Sequence, residues 1–228
     1  MMPDTDHAAT QPSPRLRALA ERLADHGLLL RGAFHPDPDD GLAADVRTVV
    51  LVGNAGPAMW EHFSTARAAA DAPHELDGWT RRVLAPLADD LGAGVAYPFG
   101  GPPFQPFQRW AMKAEGLRPS PVGVLLHPDY GPWHAYRGAF LFAETLDLPP
   151  RPARAHPCDS CAGKPCLAGC PVGAFSEAGY DWQGCKAHVA TVGAACRETG
   201  CQARHACPVG TAYAPEQAAF HMAAFLRA

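Results

Sequence analysis

The stretch CDSCAGKPCLAGCP, residues 158–171, places four cysteines within thirteen positions of a 228-residue chain that has eight cysteines in all. Its spacing is C-x2-C-x4-C-x3-C-P. A second group follows, in which a lone Cys185 precedes a C-x4-C-x5-C-P run that starts at Cys196. Both Cys-Pro steps continue with Val-Gly, as CPVGAF and CPVGTA, so the two groups form a pseudo-repeat. The fold of this C-terminal part therefore depends on what the eight sulfurs bind.

Disulfides, zinc sites and iron–sulfur clusters all use closely spaced cysteines. The N-terminal stretch MMPDTDHAATQPSP lacks the basic and apolar regions of an export signal, which predicts a cytoplasmic location, where structural disulfides are rare. Structural zinc sites usually combine two short C-x2-C knuckles that lie far apart. The spacing here is closer to the C-x2-C-x2-C-x3-C-P run of bacterial ferredoxins, with two extra residues before the third cysteine. The pattern favours two [4Fe–4S] clusters, with zinc and disulfides as the alternatives.

The composition is that of a globular protein, with 47% hydrophobic and 18% charged residues. The net charge of −4 lacks the basic footprint of a nucleic-acid-binding domain, so nucleic acid is not an expected partner. No apolar run approaches the length of a membrane span, so no membrane association is expected. The sequence contains no G-x-S-x-G, H-E-x-x-H or P-loop motif, which leaves hydrolase and kinase functions without support.

Proline content marks the main boundary in the chain. The segment LDLPPRPARAHP has four prolines in twelve residues and no hydrophobic periodicity, and all eight cysteines follow it. The last segment, PEQAAFHMAAFLR, predicts a helix that is apolar nearly all round and therefore docks on a core. We predict four regions: a disordered tail at 1–13, an N-terminal domain at 14–148, a Pro-rich hinge at 149–157, and a cysteine module at 158–228 that ends in the docking helix.

Hydrophobic patterning predicts an α+β fold for the N-terminal domain. The apolar run RTVVLV at 47–52 predicts a buried strand, and helices are predicted at 57–71 and 78–92. Residues 122–127 and 133–142 predict a strand pair, a hairpin around the turn PDYGP. Strands separated by helices, with one late hairpin, indicate packed layers of helix and sheet.

The order of these features resembles epoxyqueuosine reductase. An N-terminal domain of this size, a proline-rich hinge, the C-x2-C…C-x3-C-P run, a lone cysteine and a final Cys-Pro are similar in both. The resemblance implies a cobalamin-binding, nitroreductase-like sandwich followed by a ferredoxin-like module with two [4Fe–4S] clusters. It also implies the partition of ligands, with Cys158, Cys161, Cys166 and Cys207 on one cluster and Cys170, Cys185, Cys196 and Cys201 on the other.

The segment LLHPDYGPWHAYRGAFLF, residues 125–142, resembles a second family, the cobalamin-processing proteins of the CblC type. Those proteins carry a His-Pro-x-aromatic-Gly-x-Trp-x-x-x-Arg-Gly stretch in their corrinoid-binding domain. The resemblance implies a bound cobalamin and a corrinoid-binding role for His127, Tyr130, Gly131, Trp133 and Arg137. Three of these residues have a structural alternative: His127 as a hydrogen-bonded histidine of the turn, Trp133 as a core aromatic, and Arg137 as one half of an ion pair with a carboxylate such as Glu144.

Together the two resemblances indicate the superfamily of cobalamin-dependent iron–sulfur reductases. The expected function is an iron–sulfur oxidoreductase that passes electrons from two clusters to a bound corrinoid, as a corrinoid reductase, a dealkylase or a corrinoid-dependent reductase. The expected partners are an electron donor of the ferredoxin or flavodoxin type and a corrinoid or small-molecule substrate. Where epoxyqueuosine reductases have an AGLGWIGK-like stretch, this chain reads AEGLRPSPVG at 114–123, which does not support a tRNA-directed activity. The alternatives are an electron carrier without a corrinoid and a zinc-stabilised binding module, and no catalytic residue is assigned.

Overall fold

The computed structural model describes residues 13–68, 76–151, 153–176 and 179–227. The predicted tail, apart from Ser13, and the last three residues of the helix predicted at 57–71 lie outside the described residues. The described part combines helices and strands, which is consistent with the expected α+β class.

Strands form one main sheet and two short ribbons. The strands are β1 (Leu29–Phe34), β2 (Thr48–Ala55), β3 (Gly94–Ala96), β4 (Arg118–Pro119), β5 (Leu125–Leu126), β6 (His134–Phe142), β7 (Phe175–Ser176) and β8 (Gly179–Tyr180). The main sheet is antiparallel in the spatial order β1-β2-β6-β3, while β4 pairs with β5 and β7 pairs with β8.

Helices cover both faces of the main sheet. The helices are α1 (Pro14–Ala24), α2 (Ala58–Ala68), α3 (Leu76–Leu91), α4 (Phe107–Glu115), α5 (Pro157–Ser160), α6 (Pro165–Ala168), α7 (Trp182–Ala190), α8 (Ala194–Thr199), α9 (Gln202–His205) and α10 (Pro215–Arg227). Ser13 caps α1 through its hydroxyl, and Pro14 occupies the first turn, where a missing N–H costs nothing.

The core consists of two layers because the central strands are apolar on both sides. Val50 of β2 and Phe140 of β6 face a cluster formed with α1, α2 and α3. Val49 of β2 faces a second cluster, in which Phe107 and Trp110 of α4 are buried. Continuous apolar strands of this kind are expected where both faces of a sheet are covered.

The structure contradicts the predicted hairpin. Strand β6 pairs with β2 and β3 in the centre of the sheet, whereas the residues before the turn form β5 and pair with β4. The turn PDYGP is closed by a bridge between His127 and Gly131 only. Because β6 is apolar on both faces, it gains more burial at the centre of the sheet than it would at the edge of a hairpin.

The C-terminal helix α10 packs against α2. Phe220 of α10 lies 5.5 Å from Trp60 and 5.4 Å from Phe63, measured between ring centroids. The segment before α10 makes a second contact, in which the main chain at Val209 approaches the main chain at Gly131. A Cβ atom on Gly131 would lie 1.9 Å from the carbonyl oxygen of Val209. None of the described helices is long and apolar enough to cross a membrane.

Candidate functional site

Four of the eight cysteines line one cavity, which we call the first cysteine cavity. Cys158 lies on the one-turn helix α5 and Cys161 ends it, Cys166 lies on the one-turn helix α6, and Cys207 follows α9. The wall opposite these helices belongs to the N-terminal domain and includes Ser120, Val122, Leu126 and Pro132. The cysteines are Cys158, Cys161, Cys166 and Cys207.

The other four cysteines line the second cysteine cavity, within the cysteine module. Helices α7 and α8 contribute one cysteine each, and the rest come from the turns beside them. Val172, Phe175 and Val189 form apolar walls, and Met222 of α10 closes one side. The cysteines are Cys170, Cys185, Cys196 and Cys201. The grouping coincides with the partition that the family resemblance implied, while the metal content of both cavities stays a prediction.

All eight cysteines are free thiols in the structure. Burial raises the pKa of Cys158, Cys166, Cys196 and Cys201, so these thiols do not ionise readily unless a cation compensates the charge. The N–H of Ala174 donates to the sulfur of Cys170 at 3.3 Å. Over the described ranges, no group of three or more His, Cys, Asp or Glu side chains is placed to hold a single metal ion.

Two polar atoms without partners lie at the first cysteine cavity. Ser120 Oγ and Arg204 Nε are buried, neither has a hydrogen-bond partner among the described residues, and both residues line this cavity. A buried donor without an acceptor is costly and rare, so two of them around one cavity indicate a missing acceptor. Cluster sulfides and cysteine thiolates are such acceptors, and these residues therefore fit a bound iron–sulfur cluster.

A polar cleft of about 290 Å³ lies beside the first cysteine cavity, between β1, α4, the turn after β5 and the proline-rich segment. Its base is a buried ion pair in which Arg31 Nη2 of β1 donates to Glu115 Oε2 of α4 at 2.6 Å. Tyr136 and the N–H of Gly32 also donate to this carboxylate, at 3.1 and 2.9 Å. Although burial opposes ionisation, Arg31 and these hydrogen bonds hold the pKa of Glu115 below its ordinary value. We did not predict this network from the sequence.

His127 lies in the cleft with a fixed tautomer. Its Nδ1 accepts the N–H groups of Asp129 and Tyr130, at 3.0 and 3.2 Å. Burial and the charge of Arg31 lower the pKa of His127 to about 4, so the ring is neutral at pH 7 and its proton is on Nε2. The ring can therefore donate one hydrogen bond to a ligand in the cleft, while it has no free lone pair for a metal.

The five residues predicted to bind a corrinoid do not share one surface. His127 and Tyr130 line the cleft, and their rings stack at 4.2 Å between centroids. Gly131 contacts the backbone of the cysteine module, and Trp133 is buried against the guanidinium of Arg204.

Arg137 is also buried, away from the cleft lining. Its guanidinium donates to Asp77 at 2.9 Å and to Thr80 at 2.9 Å. The carboxylate partner is thus Asp77 of α3, and the suggested Glu144 pairs with Arg15 instead. Arg137 therefore forms a buried ion pair, which was the structural alternative to a role in binding a corrinoid.

The cleft and the first cysteine cavity share a wall. An adjoining cavity of about 190 Å³ extends the cleft along Glu115, Arg151 and Arg154, and Leu126 lines both this extension and the first cysteine cavity. The proline-rich segment also contributes Pro149 and Pro150 to the cleft. The extension of the cleft and the first cysteine cavity therefore adjoin at Leu126.

Comparisons with known proteins show a fold and no closer relationship. No family model matches the sequence, and no curated protein matches it. An epoxyqueuosine reductase crystallised with an epoxyqueuosine-modified tRNA-Tyr stem loop is similar in structure, with a TM-score of 0.52 and 16% identity over 90% of this chain and 70% of that chain. Epoxyqueuosine reductase from Bacillus subtilis is similar with a TM-score of 0.50 and 15% identity, over the same shares of the two chains.

A B12-trafficking protein CblC from C. elegans also aligns with 64% of this chain and 76% of its own, at 14% identity. Its TM-score of 0.43 is too low to define a shared fold. The chain therefore has a distant structural relationship to epoxyqueuosine reductases, and its function must be argued from its own residues.

Proposed function

We propose that this chain is an iron–sulfur oxidoreductase with a nitroreductase-like N-terminal domain at 14–148, a hinge at 149–157 and a ferredoxin-like module at 158–228. The observation that carries the proposal is the division of eight cysteines into two sets of four, each set lining its own cavity. A single mononuclear zinc site would use four of the eight cysteines and would leave the other set without a metal.

The proposed ligands of one [4Fe–4S] cluster are Cys158, Cys161, Cys166 and Cys207, and those of the other are Cys170, Cys185, Cys196 and Cys201. When bound, each cluster supplies a one-electron redox centre. The apolar side chains of both cavities exclude water from the sulfurs, and N–H groups such as that of Ala174 donate to them.

The electron acceptor in this proposal binds in the cleft. Leu126 lines both the cleft's extension and the first cysteine cavity, so an acceptor in the extension would lie near the proposed cluster. The cleft offers donors to an acceptor-rich ligand, namely the Nε2–H of His127 and the guanidinium groups of Arg151 and Arg154. Arg154 is already paired with Asp129, at 2.6 Å.

A corrinoid is the proposed cofactor or substrate of this cleft. Its carboxamide and phosphate groups are hydrogen-bond acceptors, which matches the donors present. His127 and Tyr130 would hold it, since they line the cleft, whereas Gly131, Trp133 and Arg137 would act by maintaining the fold around it. The chemistry supplied by a reduced corrinoid would belong to the cofactor, and the protein would bind, orient and exclude water.

The proposed electron donor is a protein of the ferredoxin or flavodoxin type. The structurally similar epoxyqueuosine reductase was crystallised with a tRNA stem loop. Proteins gain affinity for nucleic acid when their positive charges release counterions from the phosphates, and a chain with a net charge of −4 would release few. We therefore propose a small molecule rather than tRNA as the acceptor here. A titration with tRNA at low salt checks this choice, because binding at micromolar concentration would contradict it.

Anaerobic purification with metal and sulfide analysis tests the cluster proposal. We expect about eight iron and eight sulfide per chain. Cys185→Ala and Cys207→Ala should each lose about half of the iron, because each removes a ligand from a different set. Zinc without sulfide would overturn the proposal in favour of a zinc-stabilised binding module.

Absorption spectra recorded with cobalamin, oxidised and reduced, test the corrinoid. We expect the protein to change the corrinoid spectrum, His127→Leu to weaken binding, and His127→Gln to retain much of it because the amide still donates. An unchanged spectrum in both redox states, with eight irons present, would leave an electron carrier without a corrinoid.

A further inference from the structure

We infer that Ser120 and Arg204 donate hydrogen bonds to the cluster in the first cysteine cavity and raise its reduction potential above that of the other cluster. Electrons then leave the protein through the first cavity. The inference rests on the proposed function, because it requires that both cavities hold clusters. It assigns to two residues outside the cysteine motifs the role of setting the direction of electron flow.

The inference starts from buried polar atoms that have no partner. Among the described residues these atoms are Ser120 Oγ, Arg204 Nε and both amide atoms of Gln217. Ser120 and Arg204 line the first cysteine cavity, whereas Gln217 lines neither cysteine cavity. Buried donors without an acceptor are uncommon in folded proteins, and each calls for an explanation. The acceptors closest to hand are the thiolates and sulfides of a cluster in that cavity.

Arg204 is held in place by the N-terminal domain. Its Nη2 donates to the carbonyl oxygen of Pro132, and its guanidinium lies 4.7 Å from the ring centroid of Trp133 and 5.2 Å from that of Tyr213. These contacts occupy one edge and the flat faces of the guanidinium. Nε has no partner among the described residues, and these contacts prevent the charge from turning towards solvent.

Ser120 is fixed from the opposite side. It is 9% exposed, and its N–H donates to the carbonyl oxygen of Val124 at 2.8 Å in the short β4–β5 ribbon. Its backbone position is therefore set, and the hydroxyl can rotate towards an acceptor in the cavity. The two donors come from different regions of the chain and meet only when the cysteine module is docked.

The second cysteine cavity has a different lining. Among the described residues no lysine or arginine lines it, and its polar lining residues besides cysteine are Gln202 and His188. The second set has hydrogen-bond donors too, the N–H of Ala174 to Cys170 and the hydroxyl of Tyr180 to Cys185, and the charge of Arg204 also acts on Cys201. The difference between the cavities is therefore the further cation Lys164 and the hydroxyl of Ser120 at the first one. The first cavity has two cations, Arg204 and Lys164, and Lys164 Nζ donates to the carbonyl oxygen of Cys158. Hydrogen bonds to sulfur and nearby positive charge stabilise the reduced cluster, which carries one more negative charge.

The direction of electron transfer follows from this difference. Cys170, Cys185, Cys196 and Cys201 would hold the group that takes one electron from a donor protein of the ferredoxin or flavodoxin type, and the donor would be oxidised by one electron. Cys158, Cys161, Cys166 and Cys207 would hold the group that takes this electron next. The first cavity shares Leu126 with the cleft's extension, so the cluster of higher potential is the one beside the proposed acceptor.

Potentiometric titration monitored by electron paramagnetic resonance tests the inference. We expect two midpoint potentials, and we assign them with Cys185→Ser, which alters the second set only. Ser120→Ala and Arg204→Lys should each lower the higher potential by about a tenfold change in the reduction equilibrium, about 59 mV for a one-electron couple. Arg204→Lys keeps the positive charge but loses the fixed Nε–H. Ser64→Ala is the matched control. The hydroxyl of Ser64 donates to the backbone carbonyl oxygen of Glu61 in α2, far along the chain from both cysteine sets.

The possible outcomes separate this inference from the proposed function. If iron and sulfide are absent, the proposed function fails. If both clusters assemble but neither Ser120→Ala nor Arg204→Lys shifts the higher potential, or if the lower potential shifts instead, the inference is wrong and the proposed function stands. Should Arg204→Lys fail to fold, Ser120→Ala decides the question alone, because it removes one hydroxyl from a residue whose backbone contacts remain.

Discussion

Replacing Glu115 by glutamine should lower the free energy of unfolding by about 3–5 kcal/mol, the range for breaking a buried ion pair on one side. The side chains of Arg31 and Glu115 are 2% and 10% exposed, so water cannot solvate the arginine that the substitution leaves behind. The glutamine has nearly the same shape, and its amide oxygen can still accept from Gly32. The loss therefore reports on charge and not on packing.

Urea unfolding at pH 7, followed by circular dichroism, measures this effect. Asp90→Asn is the matched control, because Arg22 and Asp90 are also 2.6 Å apart but are 45% and 59% exposed. We expect that control to cost less than about 1 kcal/mol. The double substitution Arg31→Met, Glu115→Leu should be more stable than Glu115→Gln, because no isolated charge remains.

Two results would refute this reasoning. A cost for Glu115→Gln as small as that for Asp90→Asn would mean that water reaches Arg31 through the cleft. A double variant no more stable than Glu115→Gln would mean that packing around the side chains, and not the uncompensated charge, determines the cost.

Three further predictions concern the interface, a buried arginine and pH. Gly131→Ala should destabilise the protein by at least about 1–3 kcal/mol in thermal unfolding, because the added Cβ would lie 1.9 Å from the carbonyl oxygen of Val209. Gly123→Ala is the control for backbone strain, since Gly123 also has a positive φ but nothing lies within 4 Å of the added Cβ. Arg137→Ala should lower the melting temperature because Asp77 and Thr80 lose their partner, and weaker corrinoid binding with unchanged unfolding would instead make Arg137 a ligand contact. Burial and nearby arginines lower the pKa of His134 to about 3 and of His127 to about 4, so both are neutral when folded and take up protons when unfolded below pH 6.5. The stability contributed by the two histidines should therefore be complete above pH 6.5 and fall towards pH 4, by up to about 1.4 kcal/mol per pH unit for each histidine. His134→Asn should flatten a plot of the urea midpoint against pH. An unchanged plot would show that His134 titrates normally.

Local patterns predicted the elements whose signals lie within one segment. The apolar run of β2 predicts a strand buried on both faces, and the structure has one at Thr48–Ala55. The last helix is apolar nearly all round and packs through Phe220 on two aromatic rings of α2. Such signals need no information about distant parts of the chain.

Features that depend on distant partners were missed. Strand β1 was not predicted, because Arg31 and Gly32 interrupt its apolar pattern; the charge is tolerated only because Glu115 lies opposite it. One signal could have indicated the cleft. His134 and Tyr136 are two residues apart at the start of strand β6, which places two polar groups on the same face, and both contact Arg31.

The close backbone approach between the turn and the cysteine module has a practical consequence for protein engineering. A Cβ atom on Gly131 would meet Val209, and one on Gly210 would meet the carbonyl oxygen of Tyr130 at 2.1 Å. Each glycine makes room for the other segment's main chain. A chimaera that exchanges cysteine modules between related proteins should therefore not be joined at the proline-rich segment alone. The graft must bring residues 127–133 with it, since the surface that receives the module is encoded before the prolines.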